Sequence, residues 1–267
     1  MLPPSPLHTL RAFTRAVSPL IATGELTHLE REPIDVGFAR AQHAAYVDAL
    51  ISLGCDVTEV EPAPEHADSV FIEDTAVVLD EVAVIARPGA ESRRGETAAV
   101  ERALAPLRRI AHITAPGTLD GGDVLVVAKR VFVGRTGRTN DDGIAQLRAL
   151  LAPFDYTVEG VNVTGCLHLK SAVTALDDTT VLVNPSWIGA EVLAGLERIA
   201  VDPAEPMGAN IVRVGARLLY ASAFPSTLAR LRARGYDPLC VDASELAKAE
   251  GAVTCCSLVM RSTGRDS

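Results

Sequence analysis

The sequence predicts an α/β fold in which repeated ββαβ units stand as blades around a central channel. Three observations predict it. A polar or glycine-marked step, followed by two runs of β-branched and apolar residues, recurs five times. The markers of those steps, Asp74, Asp123, His168, Asn210 and Cys255, are separated by 49, 45, 42 and 45 residues. Helix-like segments lie between the hairpins, and no GxGxxG step accompanies any strand. A recurrence of about 20–50 residues marks supersecondary units that bury their faces against their neighbours. An open α/β sheet and a ring of blades both accommodate such a unit. The even spacing and the missing dinucleotide step favour the ring.

Taken in order, residues 10–17 form an N-terminal strand expected to close the ring against the last, cysteine-bearing strand. The first copy steps at 71–74 and runs as strands 75–79 and 82–86 about a turn at Asp80-Glu81. The second steps at 120–123, with strands 124–127 and 131–133. The third opens at 168–170, with strands 172–176 and 181–183; the fourth steps at 209–210, with strands 211–214 and 217–220. The last runs through 251–256 and on to 257–260. Segments 95–107, 141–151, 191–199 and 226–234 mix Ala and Leu with Glu and Arg at helical spacing. Residues 111–113 and 156–158 read as third strands. No Pro/Ser/Gly-rich linker or charge block divides the chain, so residues 1–267 read as a single domain.

With 48% hydrophobic and 22% charged residues the chain can bury a large core, which excludes wholesale disorder. Aromatics are only 4%, so that core is built from aliphatic side chains. The formal net charge is −9, and Lys and Arg are scattered, which argues against nucleic acid or an anionic membrane as partner. A small cationic substrate suits this balance. No run of about 18 uncharged apolar residues is present, so no spanning helix is expected. Met1-Leu2-Pro3-Pro4 lacks the basic start and apolar run of a secretory signal. Five cysteines, an odd number with no CxxC, describe reduced thiols and a cytoplasmic location better than a disulfide framework. Cys55, Cys166 and Cys240, with Trp187, read as structural. The sequence leaves a homodimer open.

In a ring, equivalent positions of each copy face one channel, and here they bring together carboxylates, His168, Asn210 and a cysteine. If Cys255 and Cys256 lie on a strand, one faces the channel and the other the core; the residues alone do not say which. A cysteine, a histidine and a carboxylate from separate repeats match a nucleophile, an acid/base and an orienting group. Asp120-Gly-Gly-Asp123 offers the carboxylate, although the same residues also make a plain tight turn. Asp68 and the pair Glu73-Asp74 are wedged in an apolar stretch around Val70-Phe71-Ile72, where an unpaired charge is costly. A guanidinium ligand satisfies such carboxylates with charge-assisted hydrogen bonds. Arg93 and Arg138 sit in loops after second strands, placed to bind a carboxylate or to remain solvated.

With these residues assembled, the sequence resembles the dimethylarginine dimethylaminohydrolases of the guanidino-modifying superfamily. The resemblance covers nearly the whole chain. It rests on Asp68-Ser-Val-Phe-Ile-Glu-Asp74, Arg87-Pro-Gly-Ala-Glu-Ser-Arg-Arg-Gly-Glu96, Thr118-Leu-Asp-Gly-Gly-Asp123, Arg138-Thr-Asn140, Leu167-His-Leu-Lys170 and Thr254-Cys-Cys-Ser257, all in order. It implies a five-bladed α/β propeller, the pentein fold, and hydrolysis of Nω-methylated arginine to citrulline through a covalent Cys thiouronium. Cys255 would be the nucleophile, His168 the general acid/base and Asp120 its supporting carboxylate. Asp68 and Asp74 would hold the guanidino nitrogens beside Phe71, with Glu73 helping at the amino-acid end. Arg93 and Arg138 would grip the substrate carboxylate, Leu26 would belong to a mobile lid, and the Ala249 carbonyl would receive the ammonium. A larger β-branched residue is usual at Ala249, a departure that a backbone contact tolerates. No cofactor or metal is implied, although a soft divalent metal would bind adventitiously and inhibit. Arginine deiminases carry His-x-Asp where this chain has His168-Leu169-Lys170. Deimination, amidino transfer and a silent propeller that binds cationic amino acids are the alternatives.

Overall fold

A computed structural model describes residues 10–262. The Met1–Pro4 segment read for a secretory signal lies outside the described residues. Five three-stranded sheets share one plan: a first strand antiparallel to a central strand, and a third strand parallel to it. The first sheet holds Ala76–Val78, Val82–Ile85 and Arg109–His112. The second holds Val124–Val127, Arg130–Arg135 and Thr157–Asn162. The third holds Val173–Ala175, Thr180–Val183 and Glu197–Ala200. The fourth holds Ile211–Val214, Arg217–Ala221 and Leu239–Val241. The fifth joins the chain's two ends: Leu258–Arg261 pairs antiparallel with Leu10–Thr14, which pairs parallel with Cys55–Glu59. The expected pairing of the N-terminal strand is therefore present.

Alternation along the central strands explains why the copies read as continuous apolar runs. Successive residues of a strand point to opposite faces, and here both faces are buried. Val82 and Val84 pack with Val131 and Val133 of the second sheet. Their neighbours Ala83 and Ile85 pack the other way, with Phe13, Leu258 and Met260 of the fifth. Phe132 in turn packs with Val181 and Val183 of the third sheet. Leu182 joins Leu218 and Tyr220 of the fourth, and Leu219 meets Ala12 of the fifth. Each sheet thus shares one apolar cluster with each of two neighbours. The first strands of all five sheets line a common cavity of about 230 Å³.

The connections before the third strands are helices where the sequence permits them. Asp141–Leu151 matches the expected helix, capped by Asn140, whose side chain accepts from the Gly143 amide. Thr97–Leu104 and Pro225–Ala233 also form. The helix expected over 191–199 does not. Only a single turn, Ala190–Leu193, is present, and Glu197–Ala200 is the third strand. Gly195 takes φ +83 there, a conformation that ends a helix after one turn. The seventeen-residue helix Val36–Ser52, capped by Asp35, serves the fifth sheet; it has no counterpart among the elements expected from the sequence.

The marker residues lie just ahead of the first strands, not on them. Asp74 is in the 3-10 turn Ile72–Thr75, Asp123 in Gly121–Asp123, and Cys255 in Thr254–Cys256. His168 caps the one-turn helix Leu169–Ala172, and Asn210 immediately precedes Ile211–Val214. The strand expected through both cysteines is thus a helical turn, and its side chains fan out at helical angles.

Leu147, fully buried on Asp141–Leu151 in the cluster between the first two sheets, tests this packing. Leu147→Ala should lower the unfolding free energy by about 2–5 kcal/mol. Urea denaturation checks it, with the dependence on denaturant unchanged.

Candidate active site

The single turns ahead of the strands deliver their side chains to a small enclosed cavity. It is lined by Asp68, Phe71, Asp74, Arg93, Arg138, His168, Ala249 and Cys255, joined by Glu25, Leu167 and Glu250. Its room is about 20 Å³, the space of about one water, so an amino acid enters only when part of the wall moves. Eight of the eleven residues singled out from the sequence meet in this lining. Asp120 stands behind it, fully buried, with Oδ2 3.1 Å from His168 Nε2.

Two residues lie elsewhere. Glu73 turns its carboxylate to the cavity between the five sheets. There Oε1 accepts from Lys170 Nζ at 2.6 Å and Oε2 from the Thr254 hydroxyl at 2.7 Å. Adjacent residues of one helical turn point apart, so Asp74 faces one cavity and Glu73 the other. Leu26 is half-buried in the segment that follows Glu25 of the lining. The amides of Thr27, His28 and Leu29 in that segment all donate to the Glu250 carboxylate. Glu25 and Glu250 were not singled out from the sequence; each sits beside a residue that was, Leu26 and Ala249.

The carboxylates are held from behind. Asp74 Oδ2 accepts from Arg93 Nη1 at 2.5 Å and its Oδ1 from the Gly122 amide at 3.0 Å. A Cβ at Gly122 would lie 2.7 Å from both Asp74 Oδ1 and His168 Nδ1. The glycine therefore serves close approach at the site, beyond making a turn. Asp120 Oδ1 accepts from the Gly89 amide, and Asp123 anchors the turn after His168 through the Leu169 amide. Arg93 spends its donors inside the protein, on Asp74, Glu96 and the carbonyls of Asp68 and Phe71. Only the second proton of Nη1 is left for a substrate. Arg138 has one hydrogen bond from its guanidinium, to Thr27 Oγ1 at 3.3 Å. Asp68 Oδ2 accepts from the Glu25 amide, whereas Oδ1, buried, has no partner.

Electrostatics assign protons to these groups. Burial by itself would push His168 down, but Asp74, Asp123 and Asp120 outweigh it and raise the imidazole to about 9. Burial, together with the charges of Glu73 and Asp74, pushes the Cys255 thiol up to about 12. The empty site at neutral pH therefore holds an imidazolium and a neutral thiol. Burial opposes ionisation of Asp74, yet His168 and Arg93 hold its pKa below the ordinary carboxylate range. Cys256, fully buried, donates towards the Ala252 carbonyl and is pushed up by burial. Asp74, Asp120 and His168 also have metal-ligand spacing among the described residues. A metal ion there would compete with the proton that His168 holds.

A protein of Streptomyces coelicolor named N(G),N(G)-dimethylarginine dimethylaminohydrolase is 47% identical over 253 residues, covering 94% of this chain and 97% of that protein. This chain belongs to the dimethylarginine dimethylaminohydrolase family. The family member of Pseudomonas aeruginosa is 33% identical, over 84% of this chain and 89% of its own. The solved structure of a cysteine-to-serine variant of the Pseudomonas aeruginosa enzyme, complexed with citrulline, superposes with a TM-score of 0.88 at 31% identity. It covers 94% of this chain and 98% of that one. The N-terminal domain of the cyanobacterial arginine dihydrolase ArgZ shares the fold, with a TM-score of 0.85 at 18% identity over 95% and 97% of the two chains. A search of family models finds no match.

The elevated Cys255 thiol predicts how the empty enzyme of this family responds to pH. Its alkylation by iodoacetamide, located by peptide mass, should rise about a hundredfold between pH 7 and 9 and still be rising at pH 9, because only the thiolate reacts. A rate already level at pH 7 would contradict the assignment.

Proposed function

We propose that Cys255 attacks the guanidino carbon of a methylated arginine, with His168 as acid and base and Asp120 holding the imidazole. As a member of the family, the chain is a hydrolase of C–N bonds in linear amidines that converts methylarginine to citrulline. The observation that carries the residue assignment is the meeting, in one small cavity, of the Cys255 thiol, the His168 imidazole hydrogen-bonded to the buried Asp120, and the carboxylates of Asp68 and Asp74.

The steps follow from those charges. The guanidinium takes the open valence of Asp68 and lies beside Asp74. Its positive charge next to Cys255 offsets the two carboxylates that suppress the thiolate, so the thiol releases its proton to solvent as the complex forms and the thiolate is the nucleophile. Attack gives a tetrahedral centre, and His168, already protonated, gives its proton to the departing dimethylamine. The neutral imidazole then takes a proton from water, which attacks the thiouronium; citrulline leaves and the thiol returns. Arg138 holds the substrate carboxylate, the Ala249 carbonyl receives the ammonium, and the Leu26 segment opens to admit the substrate. No cofactor enters these steps.

The same reading takes the five sheets as a closed five-bladed propeller within a single domain. The shared apolar clusters and the sheet made from both ends of the chain support it. A cytoplasmic location is supported by five unpaired cysteines. No helix is long and apolar enough to cross a membrane among the described residues. The partner is a small molecule.

Purified protein given asymmetric dimethylarginine should yield citrulline and dimethylamine in equal amounts, and Cys255→Ser should yield neither. Citrulline and ammonia from arginine at a higher kcat/KM would move the reading to deimination. Arg138→Ala should raise KM about tenfold or more and change kcat less, because a charge-assisted contact made equally in ground and transition states is lost. Steady-state kinetics separate the two parameters.

A further inference from the structure

Asn210, like Asp123, is a repeat marker that takes no part in the chemical steps. It brings no ionisable group, yet it is almost fully buried, and both protons of its amide nitrogen and one lone pair of its oxygen are engaged. Oδ1 accepts from the Thr254 amide at 3.0 Å. Nδ2 donates to Thr254 Oγ1 at 3.0 Å and to the Lys170 carbonyl at 3.1 Å. The orientation of the amide is fixed by these partners: one is an N–H that can only donate, another a carbonyl that can only accept. The Thr254 hydroxyl passes its own proton to Glu73 Oε2, and Glu73 Oε1 closes the circuit on Lys170 Nζ.

This circuit touches each reactive group through the chain. Thr254 precedes Cys255, Glu73 precedes Asp74, and Lys170 follows His168 by two residues. Cys255 needs such support. Its turn, Thr254–Cys256, is three residues long and has no side-chain cap at its start. Its backbone bonds are the Cys255 amide to Ala252 at 3.1 Å and a long Ser257-to-Thr254 contact at 3.5 Å. A turn held so lightly does not by itself fix a thiol to the tolerance that attack on a bound carbon requires.

We propose that Asn210 is a positioning residue, which grips Thr254 at both its amide and its hydroxyl and so aims the Cys255 thiol at the guanidino carbon. The fourth sheet then contributes the holder of the nucleophile instead of a reacting group. The proposal rests on Cys255 being the nucleophile, and its test separates the two claims.

The test compares Asn210→Ala, Thr254→Val and Thr254→Ser with the parent, and runs Cys255→Ser alongside. Asn210→Ala should lower kcat about tenfold to a hundredfold, with KM changed by less than about threefold, because the substrate contacts come from other sheets. Thr254→Val, which keeps the shape and the amide but loses the hydroxyl, should lose kcat in the same sense. Thr254→Ser should restore most of it. If Asn210→Ala does not fold, the Val and Ser pair decides alone. A folded Asn210→Ala with kcat within about twofold of the parent, or Val and Ser variants of equal kcat, would overturn the proposal. Turnover surviving in Cys255→Ser would instead overturn the assignment of the nucleophile.

Discussion

Everything about this site follows from an excess of negative charge buried where the five sheets meet. Asp68, Glu73, Asp74, Glu96, Asp120 and Asp123 are all buried, against the cations of Arg15, Arg93, His168 and the partly buried Lys170. Burying a charge is costly unless it is paired and hydrogen-bonded. Most of these carboxylates are accounted for: Arg93 spans Asp74 and Glu96, Lys170 meets Glu73, and backbone amides serve Asp120 and Asp123. Asp68 keeps one oxygen with no partner. On the proposed reading a guanidinium between Asp68 and Asp74 offsets these charges, so binding of the substrate and activation of Cys255 are one event.

The backbone is shaped by the same requirement. Side chains that must converge from several sheets cannot sit on the strands, whose alternate faces are filled by the apolar clusters. They are carried instead on single helical turns at the strand entrances, where neighbouring residues diverge. This divergence lets Glu73 and Asp74, or Cys255 and Cys256, serve two different environments. It also demands close packing of the turns, met at Gly122 by the absence of a side chain. Glu250, next to Ala249, accepts from the amides of Thr27, His28 and Leu29.

Much of this was legible in the residues. The spacing of the markers located all five sheets, because each first strand begins with a polar step that no purely structural strand needs. The pairing of the two chain ends was also readable, since the last repeat lacks a second and third strand of its own. The helix over 141–151 was clear from its period and from Asn140 as cap. The helix Val36–Ser52 was not, because apolar residues occur all around it and no periodic stripe stands out. Segment 191–199 misled because Ala, Leu and Glu outweighed Gly195, whose positive φ decides the matter. The reacting groups could be named, but which cavity Glu73 faces depends on a turn geometry that a strand-like reading does not contain. The roles of Glu250 and Thr254 were not readable, since they arise from hydrogen bonds across about two hundred residues of chain.

The central claim is that Cys255 becomes covalently bound to the guanidino carbon. S-Methyl-L-thiocitrulline tests it most directly, because its methanethiolate departs without needing a proton from His168. A family structure of a histidine-to-glycine variant carries an adduct with this compound, at 30% identity and a TM-score of 0.88 over 94% of this chain and 99% of that one. The measurement is peptide mass spectrometry of His168→Gly after acid quenching. The account predicts a mass gain equal to the compound less methanethiol on Cys255 and on no other cysteine. An unmodified Cys255, or the same gain on Cys256, would contradict it.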